Sequence, residues 1–82
     1  MATEYLTASM PGVFYRRPGP DDPSFVEVGD EVSEGDTVGL VGVMKNFHEI
    51  TAPRDGTVTD ILVENESEIE AGRELIELTT DD

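Results

Sequence analysis

Lys45 is the single lysine among the 82 residues of this chain. It stands in the stretch Gly42-Val43-Met44-Lys45-Asn46-Phe47, and runs of alternating apolar residues lie on both sides of it. A lysine amine is a nucleophile, and acylation by an activated carboxylic acid would join a small molecule to it through an amide bond. The position and uniqueness of Lys45 therefore predict that it lies at the tip of a hairpin and carries a covalently attached cofactor.

Other side chains offer less chemistry. The chain has no cysteine, which excludes disulfides and thiolate metal sites, and its one histidine excludes a multi-histidine metal site within one chain. His48 and Glu49 are neighbours, but successive residues of a strand face opposite ways, so an acid–base pair is not expected. We predict that His48 is a surface or edge residue. The paired acidic residues Asp21-Asp22, Glu64/Glu66 and Asp81-Asp82 could bind a cation, but we expect them to be solvated charges.

The charge of the chain limits its partners. Nineteen acidic residues against five basic ones give a formal net charge of −14. Phosphate contacts need clustered lysine and arginine, so we expect no binding to nucleic acid. No apolar run approaches the ~20 residues of a membrane span, and the N-terminus does not resemble a signal peptide. We therefore expect a soluble cytoplasmic protein without a membrane partner. The acidic, lysine-poor composition also resembles that of proteins from salt-accumulating organisms.

Short apolar runs between turn residues predict an all-β chain. The predicted strands cover residues 4–8, 13–16, 37–43, 47–51, 57–63 and 74–78. Gly39 and Gly42 within the third strand indicate close approach by a neighbouring backbone or side chain. Residues 79–82 are expected to form a frayed tail. These elements predict one domain over residues 1–82, with a core over about residues 5–78 and the form of a small sandwich or barrel.

Residues 17–24 interrupt the strand pattern with the sequence RPGPDDPS. Proline fixes φ and lacks an N–H, so three prolines exclude a helix and a central strand and predict a stiff loop. For the adjoining Arg16-Arg17 pair we expect a salt bridge on the acidic surface. The aromatic residues are expected to be in the core or to cover strands; they are Phe14, Tyr15, Phe25 and Phe47.

The two halves of the chain resemble each other. A shift of 37 residues aligns Val26-Glu27 with Val63-Glu64, Val32 with Ile69, Gly35 with Gly72 and Val38 with Leu75. Two similar halves are expected to pack as two sheets about a pseudo-twofold axis. Lys45 would then lie in the connection between the halves, opposite both termini.

The dipeptide Met44-Lys45 within its β-rich surroundings resembles the attachment site of biotin carboxyl carrier domains. The motif of these sites usually reads Glu-Ala-Met-Lys-Met. The similarity runs over about residues 5–78 and is strongest to the acetyl-CoA carboxylase type within the biotin/lipoyl attachment family. Further similar segments are GVFYRRPGPD at 12–21, FVEVGD at 25–30, GDT at 35–37, GTV at 56–58 and ILVE at 61–64. Gly42-Val43 and Asn46 depart from the motif, although asparagine suits a tight turn because it tolerates left-handed geometry.

The resemblance implies a flattened eight-stranded barrel or sandwich with internal pseudo-twofold symmetry. It implies covalent biotin on Lys45, which lies on a tight turn where Met44 and Asn46 flank it. It also implies that residues 17–24 form a protruding loop, here called the thumb, beside the biotin. The thumb residues expected to contact biotin are Arg17, Pro18, Gly19, Pro20 and Asp21.

In function, the resemblance implies a non-catalytic carrier. A biotin protein ligase would attach the biotin, and the carrier would shuttle CO2 as carboxybiotin from biotin carboxylase to an acyl-CoA carboxyltransferase in fatty-acid or acyl-CoA metabolism. Two alternatives stay open. One is a lipoyl carrier, whose motif usually has Asp where this chain has Met44. The other is an unmodified interaction domain descended from a carrier, which Gly42 and Asn46 motivate.

Overall fold

The computed structural model describes residues 2–19 and 21–80, and in these residues the regular structure is all β. The strands are β1 Ala2–Thr7, β2 Gly12–Tyr15, β3 Glu31–Val32, β4 Thr37–Val43, β5 Asn46–Thr51, β6 Gly56–Ile61, β7 Ser67–Ile69 and β8 Glu74–Thr80. The described part of the chain contains no helix long and apolar enough to cross a membrane. The predicted all-β class is therefore confirmed.

The strands form two antiparallel four-stranded sheets. One has the order β1-β8-β6-β3, and the other has the order β5-β4-β2-β7. Every ladder among the described residues belongs to one of these sheets. Of the two expected forms, a barrel or a sandwich, the closed barrel is therefore not the one observed. Each sheet ends in a short strand, β3 or β7, whose outer edge pairs with no other described strand, so the ladder does not continue between the sheets.

The core lies between the sheets and contains apolar side chains from both. Its members are Leu6, Ala8, Phe14, Val26, Val32, Val38, Val41, Ala52, Val58, Val63, Ile69, Leu75, Ile76 and Leu78. Phe14 is fully buried, as expected for a core aromatic. Burial of each large aliphatic or aromatic side chain contributes about 1.5–3 kcal/mol, so this cluster is the main stabilising feature of the fold.

The expectation of a frayed C-terminal tail is wrong for its first two residues. Thr79 and Thr80 belong to β8, where Thr80 pairs with Ala2 of β1 and is 1% exposed. The strand continues because β1 begins at Ala2, earlier than the sequence predicts, and supplies a partner along its whole length. Residues 81 and 82 lie outside the described residues.

Candidate functional site

Lys45 lies in the two-residue turn between β4 and β5. Val43 pairs with Asn46, so Met44 and Lys45 alone form the loop of this hairpin. Lys45 is exposed, and the Met44 side chain is 99% exposed. Lys45 is thus at the tip of a hairpin, as the sequence predicts. The attachment of a cofactor to it stays a prediction.

Met44, rather than Asn46, takes the left-handed conformation in this turn. Met44 has a φ of 58°, whereas Asn46 is the first residue of β5. Two-residue hairpin turns that match the twist of the flanking strands have positive φ at their first central residue, which is Met44 here. Such a conformation costs about 1–2 kcal/mol for a residue with a side chain. The expected left-handed role of Asn46 is therefore wrong, because the loop is one residue shorter than that role requires.

A cavity of about 340 Å³ opens beside the hairpin. Its lining comes from three parts of the fold: Arg17, Pro18 and Gly19 from the thumb, Tyr15 and Phe47 from β2 and β5, and Asn65 and Glu66 from the β6–β7 connection. Small-molecule sites usually occupy about 300–1,000 Å³ and combine apolar surface with a few polar groups. This cavity has that size and composition.

Two aromatic rings contribute much of the apolar surface of the cavity. The Tyr15 and Phe47 rings pack edge to face, with centroids 5.7 Å apart. Gly42 makes room for them, since a Cβ atom there would lie 2.9 Å from Tyr15 Cε2 and 3.2 Å from Phe47 Cε1. The close approach predicted at Gly42 is confirmed. Tyr15 and Phe47, which the sequence predicts to lie in the core or to cover strands, also line the cavity, and Phe47 is 60% exposed.

Backbone hydrogen bonds tie the described part of the thumb together. The Phe25 N–H donates to the Arg16 carbonyl at 2.8 Å, and the Asp22 N–H donates to the Gly19 carbonyl at 3.2 Å. The Arg16 guanidinium pairs with Glu27 at 3.6 Å, which confirms the salt bridge expected for the first of the two arginines.

The predicted thumb contacts divide into three groups. Arg17, Pro18 and Gly19 line the cavity. Asp21 is exposed and does not line it. Pro20 lies outside the described residues.

Sequence analysis missed Tyr15, Phe47, Asn65 and Glu66 as site residues. A signal for the two aromatics existed, because a glycine inside a strand marks close approach and alternation puts Phe47 on the same face as its partner Gly42. No comparable signal existed for Asn65 and Glu66. They reach the site through pairing between strands that are distant along the chain.

The geometry supports acylation better than other chemistry. Among residues 2–19 and 21–80, no group of three His, Asp or Glu side chains is placed to hold a metal ion. His48 lies exposed on the edge strand β5, as predicted. The arrangement instead offers one exposed amine on the short turn of a hairpin, and Phe47 of the same hairpin lines the cavity.

Comparison with known proteins also points to covalent attachment of a cofactor. The sequence profile of a family described as "Biotin-requiring enzyme" matches residues 4–78. The biotin carboxyl carrier protein of acetyl-CoA carboxylase from Streptococcus pyogenes is 41% identical over 75 residues, and the match covers 92% of this chain and 45% of that protein. The chain thus spans less than half the length of this relative.

Two solved structures resemble the fold. Urea carboxylase from Kluyveromyces lactis matches with a TM-score of 0.79 and 28% identity, over 96% of this chain and 6% of that one. A single-chain, multi-domain long-chain acyl-CoA carboxylase matches with a TM-score of 0.82 over 98% of this chain and 7% of that one. Its identity is 19%, so this second similarity concerns the fold alone.

Proposed function

We propose, from the premise that this chain belongs to the biotin-requiring enzyme family, that it is a biotin carboxyl carrier domain with biotin attached to Lys45. One observation carries the proposal: the single lysine of the chain lies exposed in a two-residue turn beside a cavity of suitable size. The match of residues 4–78 to the family adds support, because it includes this turn.

The residues around the cavity fit biotin. Its fused rings are largely apolar and carry a ureido group with hydrogen-bond donors and one acceptor. Tyr15, Phe47 and Pro18 offer apolar surface, Arg17 carries donors, and the Asn65 amide carries both a donor and an acceptor. We propose that the thumb contacts biotin through Arg17, Pro18 and Gly19. Asp21 is left out because it does not line the cavity.

Attached biotin supplies a ureido nitrogen that accepts and releases a carboxyl group, and the chain supplies position. The short turn fixes the backbone of Lys45, and the flexible lysine stem allows the attached group to reach away from the domain. Tethering of this kind raises the effective concentration of the group at each partner site. The domain itself needs no catalytic residue, which makes it a carrier rather than an enzyme.

The partners proposed for this carrier are biotin carboxylase, an acyl-CoA carboxyltransferase and a biotin protein ligase. The Streptococcus pyogenes relative is a carrier protein of acetyl-CoA carboxylase, which supports acetyl-CoA or a related acyl-CoA as the final substrate. We propose no nucleic-acid or membrane partner, and the net charge of −14 supports this for nucleic acid. The cytoplasmic location stays a prediction.

We also infer that the two halves are related by a pseudo-twofold axis. The two sheet orders, β1-β8-β6-β3 and β5-β4-β2-β7, correspond place by place, because the strands at each place are four apart in chain order. Hydrogen bonds repeat as well: Gly35 N–H to Ala52 O (2.9 Å) and Ala52 N–H to Asp36 O (2.9 Å) correspond to Gly72 N–H to Ala8 O (2.8 Å) and Ala8 N–H to Arg73 O (3.0 Å). This relation makes the β4–β5 turn the counterpart of the chain termini, which suits a presented tip.

The test is the intact mass of the protein after incubation with a biotin protein ligase, biotin and ATP. We expect one biotinyl increment, and we expect none in a Lys45→Arg control. A folded protein that gains no increment would overturn the carrier proposal and leave an unmodified interaction domain. An increment of lipoyl mass with a lipoate ligase, and none with the biotin ligase, would identify a lipoyl carrier.

A further inference from the structure

We propose that Asn65 is a positioning residue that holds the thumb against the Lys45 hairpin. The Arg16 N–H donates a hydrogen bond to Asn65 Oδ1 at 2.8 Å, and this bond is partly buried. Arg16 lies one residue beyond the end of β2 and immediately before the thumb. The bond therefore connects the base of the thumb to the β6–β7 connection, which belongs to the other half of the chain.

Both ends of the thumb meet at Arg16. Its N–H is bonded to Asn65, and its carbonyl accepts the Phe25 N–H at 2.8 Å from the residue that follows the thumb. An intervening loop that is closed on one residue moves with that residue. The position of Arg16, and hence the Asn65 bond, thus fixes the base of the described part of the thumb.

Asn65 is itself held in place by the residue after it. Glu66 has a φ of 63°, and its N–H donates to the Phe14 carbonyl at 2.7 Å. Phe14 is a fully buried residue of β2, so this bond ties the connection to the core. This bond fixes the backbone next to Asn65, so that the Asn65 side chain is held in position as a hydrogen-bond acceptor.

The same connection faces the thumb across the cavity. Asn65 and Glu66 line it together with Arg17, Pro18 and Gly19. Next to Arg16, the Tyr15 ring packs on Phe47 of the hairpin, with centroids 5.7 Å apart. Loss of the Asn65 bond would release the base of the thumb and change the width of the cavity beside Lys45. The role of this cavity in holding biotin rests on the proposed function, whereas the link between Asn65 and the thumb does not.

The first test measures amide hydrogen exchange by NMR on the protein without biotin. In the unchanged chain we expect the Arg16 amide to be protected. In Asn65→Ala we expect its exchange to accelerate about tenfold, the equivalent of one hydrogen bond, and the thumb amides to follow. Asn65→Asp keeps an acceptor oxygen at this position and should restore the protection.

Asp55→Ala is the matched control. Asp55 Oδ1 accepts the Glu34 N–H at 2.8 Å, which is the same kind of bond at the same length but away from the thumb. We expect this variant to expose the Glu34 amide and to leave Arg16 unchanged. An unprotected Arg16 amide in the unchanged chain, or equal exchange at Arg16 in the Asn65 and Asp55 variants, would overturn the proposal. The measurement on the unchanged chain decides the matter even if Asn65→Ala does not fold.

The second test compares the biotinylated and unmodified forms of each variant. We expect biotin to shift the amide resonances of the thumb in the unchanged chain and in Asp55→Ala. We expect these shifts to be largely lost in Asn65→Ala, because the released thumb no longer lies against the cavity. Full-size shifts in Asn65→Ala would show that Asn65 does not position the thumb for the cofactor. A chain that accepts no biotin would refute the proposed function, while the exchange measurement would still decide the role of Asn65.

Discussion

Gly42 sets the shape of the site through the side chain that it lacks. It pairs with Phe47 across the hairpin, and the rings of Tyr15 and Phe47 pack over its α-carbon. In the attachment motif that this chain resembles, glutamate usually stands at this position. The departure at Gly42 is therefore coupled to the aromatic surface of the cavity, and a larger residue would need a different arrangement of both rings.

We predict that Gly42→Ala destabilises the protein by about 1–3 kcal/mol, because overpacking displaces the rings. The sign is informative, since alanine in place of an unconstrained strand glycine normally stabilises by about 0.5–1 kcal/mol. Urea denaturation measures the change. In a Tyr15→Ala background, where the nearest ring is gone, the cost should fall. A stabilising Gly42→Ala would show that the rings do not depend on this glycine.

At the scale of strands and connections, the pair β1–β8 carries a titratable contact. Tyr5 lies opposite Glu77, and its hydroxyl donates to Glu77 Oε1 at 3.5 Å. The Glu77 carboxylate, followed by partial desolvation and by Glu74, raises the pKa of Tyr5 above its ordinary value. The folded state therefore holds this proton more firmly than the unfolded state does.

We predict that the contribution of Tyr5 to stability is complete below its unfolded pKa and is lost as pH rises through the raised folded pKa, which places the window above about pH 10. Ultraviolet titration in a Tyr15→Phe background isolates Tyr5, because the chain has two tyrosines. Glu77→Gln should lower the pKa of Tyr5 more than Glu74→Gln does. Equal effects of the two substitutions would contradict the assignment of Glu77 as the main cause.

How far the sequence predicts these elements depends on their length. The bounds of β4 are those that the apolar pattern predicts, residues 37–43. The strands β3 and β7, with two and three residues, are too short to produce an alternating pattern, although their apolar members Val32 and Ile69 are buried. Local patterns predict the thumb as a loop but not its attachment to Asn65, because that contact joins residues 49 positions apart.

At the scale of the whole molecule, charge is the dominant feature. A net charge of −14 on 82 residues produces self-repulsion in the compact state. The ion pairs Arg16–Glu27 and Arg54–Glu4, at 3.6 and 3.2 Å, offset little of it, since exposed pairs contribute about 0–1 kcal/mol each. Screening should therefore stabilise the fold more through weakened repulsion than it destabilises the fold through weakened pairs.

We predict that the unfolding temperature rises when KCl is raised from about 0.1 M to about 1 M, over which the Debye length falls from roughly 10 to 3 Å. Thermal unfolding followed by circular dichroism measures it. NaCl at equal ionic strength should have the same effect, because the cause is screening rather than binding of one ion. An unfolding temperature that does not change with salt would contradict the prediction. The origin of the chain in a salt-accumulating organism stays a prediction.

The length of the Lys45 turn couples two parts of the site. With two residues in the loop, Val43 faces Asn46 and Gly42 faces Phe47. Side chains alternate along a strand, so a shift of the β5 register by one residue, with the two-residue turn kept, would turn Phe47 to the opposite face. The register of β5 relative to the Lys45 turn therefore decides whether the Phe47 ring faces the Tyr15 ring and the cavity.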